Sequence, residues 1–337
     1  MTPREIVIQA LTFAHPRRIP RQLWLLPWAA RRYPEAAREI QAAFPDDIVT
    51  APPFYDQPLP VRGDRYAKGT YVDEWGCAFQ NLEDGIIGEV KEPLIGTWRD
   101  GAKVRIPVER LSVNTARVDA FCSETNRFVI AGCCPRIFER LQFLRGTEHL
   151  FVDLMDEPPE LDELTERIHR FYVDELALWA ETKVDALMLM DDWGGQQSML
   201  ISPDLWRQRY RPLYAQYVDV AHRRGKHIFL HSDGFILPIL EDLVELGFDA
   251  VNCQVFCMGV ETLGERFAAR ITFWGELDRQ QLLPHGSRED IERAARMMHR
   301  HLHRAGGLIA QCEFGPAARP ENVRRFFEVF EELSAVT

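Results

Sequence analysis

Short, β-branched apolar runs, each closing in polar residues and followed by a helix-length amphipathic segment, recur through the second half of this 337-residue chain. They span 184–192, 227–234, 249–254, 271–278 and 308–314. Helical candidates lie between them at 203–224, 237–246 and 288–304. Ser202-Pro203 and Ser287-Arg288-Glu289-Asp290 stand where helices should start, and Gly225, Gly247 and Gly306 where they should stop. A continuous apolar run is how a strand buried on both faces reads, so the rhythm predicts parallel βα units. The first half adds runs at 22–26, 47–51 and 128–134, the last followed by a helix at 136–144. Together they make the eight strands of a (β/α)8 TIM barrel, expected as a single domain over 1–337. A doubly wound open sheet is the alternative α/β arrangement.

Residues 53–126 break the rhythm. Within them, 71–93 alternates and carries Asp84-Gly85, which predicts a β-hairpin region inserted between the second and third strands. Excursions of that length are usually functional or act as lids. At the start of the chain, Thr2-Pro3-Arg4-Glu5 reads as a capping box opening a short amphipathic helix, not as a signal peptide. No stretch approaches the roughly 20 apolar residues that span a bilayer. The seven cysteines, with Cys133 and Cys134 adjacent, show no disulfide-framework spacing, so reduced thiols and a cytoplasmic location are expected. Forty basic against 51 acidic residues give a net charge of −11. That balance excludes a phosphate-tracking nucleic-acid binder and leaves a small-molecule substrate as the expected partner.

Barrel enzymes place their active sites at the C-terminal ends of the strands. The tails that close the last five runs are polar: Asp191-Asp192-Trp193-Gly194-Gly195-Gln196, His231-Ser232-Asp233-Gly234, Asn252-Cys253-Gln254, Glu276-Leu277-Asp278-Arg279-Gln280 and Gln311-Cys312-Glu313. Helix capping explains some such tails, but a succession of them points to an active site. His231 and Asp233, two apart on a strand, share a face and reach one point. Cys312, ending the last strand, is expected to face the same cavity. These three types are acceptable zinc ligands, and a catalytic zinc needs only three from protein. Cys253 and Glu313 are spare ligand candidates, whereas Cys257 and Met258 read as packing residues.

The segments 2–20, 191–203, 225–234 and 273–284, with Pro320-Glu321-Asn322-Val323 near the end, resemble the uroporphyrinogen decarboxylase superfamily. Its barrel is shared by cobalamin-linked methyltransferases and the cobalamin-independent methionine synthase. The resemblance implies a (β/α)8 barrel with a deep cleft at the strand C-termini. True uroporphyrinogen decarboxylases carry an Arg-Gln-Ala-Gly-Arg-Tyr signature; the nearest stretch here, Ala29-Ala30-Arg31-Arg32-Tyr33-Pro34, lacks its first arginine and its glutamine. A polyanionic tetrapyrrole also suits a chain of net charge −11 poorly. The methyltransferase branch carries His-x-Cys with a distant Cys. His231 and Cys312 match those positions, and Asp233 replaces the first cysteine.

The resemblance therefore implies zinc on His231, Asp233 and Cys312, lowering the pKa of a thiol acceptor whose thiolate attacks a methyl group held by a corrinoid or another donor. It implies that Glu276, Asp278 and Gln280 line the pocket and that Asp191 and Asp192 orient donor or acceptor. Asp191, Asp192, Glu276 and Asp278 are the expected catalytic residues. Asp47, Trp193, Gln196, Gln254, Arg279 and Gln280 are the expected substrate-binding residues. No Asp-x-His-x-x-Gly corrinoid signature occurs, so any corrinoid is expected on a partner protein, and the resemblance also implies a homodimer. Two other functions fit the same chain. One is a metal-free decarboxylase in which Asp47 or Asp192 stabilises a cationic ring intermediate. The other is a catalytically silent corrinoid- or small-molecule-binding subunit, its mouth filled by the 71–93 region and by aromatic residues such as Trp75 and those of 24–28.

Overall fold

The computed structural model describes residues 1–334. In chain order its strands are β1 (Arg21–Leu25), β2 (Ile48–Thr50), β3 (Gly69–Val72), β4 (Ala78–Asn81), β5 (Glu89–Val90), β6 (Phe128–Ile130), β7 (Ala186–Met190), β8 (His227–Ser232), β9 (Ala250–Cys253), β10 (Thr272–Glu276) and β11 (Leu308–Phe314). Eight of them form one sheet in the order β1-β11-β10-β9-β8-β7-β6-β2, and every ladder within it is parallel. The order runs round a ring with none of the reversal a doubly wound sheet requires. The fold is the expected TIM barrel.

The ring closes between β1 and β2 by a different chemistry from its other joints. One backbone bond links Asp47 N to Arg21 O, at 2.9 Å. Carboxylates supply the rest: Asp47 accepts from Arg21 N at 2.8 Å, and Asp46 from Leu23 N at 2.7 Å. Arg18 grips both oxygens of Asp47 at 2.7 and 2.5 Å.

Alternation along the strands sorts side chains into two layers. Phe128, Ala186, Phe229, Ala250, Trp274 and Ile309 point inward and fill the lower barrel, with Trp24 against them. The helix Pro3–Leu11, opened by the expected Thr2 capping box, contributes Val7 and Leu11 to this inner cluster. Leu230, Val251, Phe273, Ala310 and Cys312 belong to the other parity and pack into the larger cluster under the surrounding helices.

The insertion is a three-stranded antiparallel meander, β3-β4-β5, and not a single hairpin. Asp73 makes the first turn by accepting from Trp75 N and Cys77 N at 3.1 and 2.8 Å. Asp84-Gly85 therefore falls in the second connection. There Gly85, at φ +90°, packs so closely on the Trp28 backbone that a Cβ would collide with it. Arg110 ties the insertion to the long helix Pro159–Ala180 through a bidentate pair with Glu175 at 2.7 and 2.8 Å. Trp75 is fully buried against Phe171 and Tyr172 of that helix. Trp75 does not plug the barrel mouth, because it faces an outer helix; Trp24 lies between the inner cluster and the strand ends, 5.1 Å from Trp274 and 5.4 Å from His231. Among the described residues, no helix is long and apolar enough to cross a membrane.

Candidate active site

The tails of β7 and β8 bring Asp192, His231 and Asp233 together, with one potential ligand atom from each lying within 4.8 Å of the others. The register pairs His231 with Asn252 on β9, and His231 Nδ1 lies 2.5 Å from Asn252 Oδ1. Asn252 spends its amide hydrogens on Trp274 O and Gln311 Oε1, at 2.5 and 3.3 Å, so its oxygen is an acceptor. Nδ1 therefore carries a proton, and Nε2 faces Asp192 Oδ1 at 3.5 Å and Asp233 Oδ1 at 3.6 Å. Asp233 Oδ1 is buried without a hydrogen-bond partner. The three side chains could together hold a cation.

Two glycines let the tails approach. Gly194 N donates to Asp233 O at 3.1 Å, and Asp233 N donates to Asp192 Oδ1 at 2.9 Å. Gly234 adopts φ +79°, and a Cβ there would run into the Gly194 carbonyl.

Arg279 stands on the other side of Asp233. It donates to Asp233 Oδ2 and, at 3.3 Å, to both oxygens of Glu313, and it lies 3.7 Å from Glu276. Burial pushes the Glu276 carboxyl up to about 8; Arg279 opposes the rise, and Asp233, Glu313 and Asp192 add to it. Glu276 Oε2 has no hydrogen-bond partner. Beside this group opens a cavity of about 230 Å³ lined by Gln196, Gln254, Phe256, Asp278, Arg279 and Gln280, with Glu276 in its wall. Asp278 shapes that wall by accepting from Gln280 N and Gln281 N, each at 2.8 Å.

Four expected site residues lie elsewhere. Cys312 has the outer parity of β11, so it is buried under the helices, while the adjacent Gln311 reaches Asn252 and Glu313 reaches Arg279. Burial also pushes the Cys312 thiol well up. Asp191 has the outer parity of the β7 tail. It caps the helix Ile137–Arg145 by accepting from Phe138 N and Glu139 N at 3.0 and 2.9 Å, and it takes the Tyr214 hydroxyl at 2.8 Å. Trp193 is fully buried, stacked on Phe138 at 4.4 Å, with its N–H on Tyr214. Asp47 precedes β2 and so lies at the opposite end of the barrel, consumed by Arg18 and Arg21.

Asn252 stands in the sequence only as part of a polar tail, and nothing there marks Glu139, whose carboxyl is within electrostatic reach of Asp192, Asp191 and His231. Burial raises the Glu139 carboxyl to about 7; Arg136 opposes the rise, and Asp192 and Asp191 add to it. The polar pair Gln311 and Glu313, two apart like His231 and Asp233, was the available signal that Cys312 faces outward.

A family model described as uroporphyrinogen decarboxylase (URO-D) matches residues 71–333. No curated protein matches the chain in sequence. Among solved structures, a methyltransferase from Methanosarcina mazei superposes with a TM-score of 0.72 at 16% identity, covering 99% of each chain. A structure described as IolI protein with a bound zinc atom covers 64% of this chain and 91% of its own, at a TM-score of 0.34 and 12% identity. The first likeness is one of fold, and the second is too distant to bear on this site.

Proposed function

This chain belongs to the uroporphyrinogen decarboxylase family, and on that premise we propose that it is a zinc-dependent methyltransferase working at the mouth of its barrel. The observation that carries the reading is the convergence of Asp192, His231 and Asp233, with Asp233 Oδ1 buried and unmatched. The solved methyltransferase shares the barrel over its whole length. Zinc held by these three residues would supply Lewis-acid chemistry that lowers the pKa of a thiol acceptor. Asn252 fixes the His231 tautomer, and Arg279 holds Asp233 from behind. Gln196 and Gln254 orient the acceptor in the adjoining cavity, and the thiol proton passes to solvent. The thiol sulfur bonds to the methyl carbon as the bond from methyl to donor breaks. The donor is a methylated corrinoid carried by a partner protein, or another methylated compound.

Elemental analysis of protein purified without chelator tests this reading. About one equivalent of zinc, lost in His231→Ala and retained in Cys312→Ser, is the expected result. Less than about a tenth of an equivalent in the natural chain would remove the reading.

A second reading follows from Arg279, which already neutralises carboxylates of the cluster with no metal required. In that case the site is a metal-free decarboxylase, with Asp192 stabilising a cationic ring intermediate. Spectroscopic titration with an acidic pyrrole separates the two, because only the decarboxylase binds it.

A further inference from the structure

A second cavity, of about 470 Å³, lies between the inserted sheet and the end of β6. It opens at the same end of the barrel as His231 and is lined by residues that the proposed methyl transfer does not use. One wall is aromatic: Tyr71 packs on Phe79 at 6.1 Å, and Phe79 on Phe143 at 5.2 Å, with the three rings in sequence. Four arginines line it, three of them buried or half-buried and Arg65 exposed at the rim, and the environments of the three differ. Arg110 is consumed by Glu175, at 2.7 and 2.8 Å, and by Glu74 at 3.1 Å. Arg140 is consumed by Asp73 at 2.6 Å and lies over the Trp75 ring. Arg136 has an ion pair with Glu139 at 3.5 Å and a contact with the Cys134 thiol, and no carboxylate among the described residues accepts a hydrogen bond from it. Glu139 Oε2, facing it, is buried with no hydrogen-bond partner.

A guanidinium offers five donors in a planar fork that matches a carboxylate. Sequestered from water in a cavity with an aromatic wall, it is the anchor such a ligand would use, and the volume falls in the range of small-molecule sites. Glu139 counts against a second negative charge nearby. We propose that this cavity binds a small aromatic monocarboxylate, its acid group on Arg136 and its ring against Tyr71, Phe79 and Phe143. The proposal does not depend on methyl transfer, because binding is read without turnover.

The test is isothermal titration of the full-length protein with benzoate and with benzamide, its neutral counterpart of the same shape. Benzoate is expected to bind saturably with a dissociation constant of about 1 mM or tighter, and benzamide about tenfold more weakly or worse. Arg136→Gln is expected to reduce benzoate to the benzamide level. Arg65→Gln, at the exposed rim, is expected to leave binding as it is. Equal affinity for the two probes, full benzoate affinity in Arg136→Gln, an equal loss in Arg65→Gln, or no saturable binding would each overturn the assignment. Should Arg136→Gln not fold, the benzoate–benzamide comparison and the Arg65 variant still decide it.

Discussion

Parity decides which side chains meet at the barrel axis. His231 and Asp233 were legible as a pair because they are two apart on one strand, and the structure puts both beside Asp192. The same rule applied to 308–314 selects Gln311 and Glu313 and turns Cys312 outward, against the expectation drawn from its place at the end of the last strand and from the resemblance. Asn252 was harder to see. Its importance comes from the β8–β9 register, which sets it opposite His231, and register between strands is not written in either strand alone. With Nδ1 held by Asn252, the imidazole keeps Nε2 for the proposed zinc. Asn252→Ala is therefore expected to weaken zinc binding about 10- to 100-fold, read by competition with a chromophoric chelator. Unchanged affinity would show that His231 is not held in this way.

At the scale of elements, strand existence was readable and strand ends were not. The run 128–134 is apolar throughout, yet β6 stops at Ile130, because the chain then turns toward Pro135 and Arg136. The insertion departs further from expectation. Asp84-Gly85 is a hairpin signal taken alone, but Asp73 closes an earlier turn and Gly85 is held against Trp28. Neither contact is local in sequence. The tails of β7 and β8 are joined by a comparable non-local contact at Gly194 and Gly234. Gly234→Ala forces a side chain into a positive-φ site facing the Gly194 carbonyl and should cost about 1–3 kcal/mol in denaturant unfolding. Zinc affinity should fall with it, because Asp192 and Asp233 ride on those tails. A loss of stability with zinc affinity intact would detach the two effects.

Over the whole molecule, the site end of the barrel stores protons. Burial raises Asp191 and Glu139 to about 7 and Glu276 to about 8, from ordinary values of 3.8 and 4.5. The folded chain thus holds protons that the unfolded chain has released, and stability falls as pH rises from the unfolded values through about 7 to 8. His303 works in the opposite sense. Burial depresses it to about 4 from 6.5, so its contribution is present above 6.5 and lost as pH falls toward 4. The denaturant midpoint is expected to drop between about pH 6 and about pH 8.5; a rise across that interval would contradict the burial of these carboxyls. The barrel itself was visible in the βα rhythm. How the ring closes was not, because the joint between β1 and β2 rests on Asp46, Asp47 and Arg18, and Asp47 reads in the sequence as a substrate-binding carboxylate and not as a clasp. Burial holds the Asp46 carboxyl near 6, so it titrates close to neutrality. The cylinder is thus a hoop with an ionic clasp: seven joints are fastened by backbone ladders, and the eighth carries acceptors whose strength depends on the acidity of the surroundings.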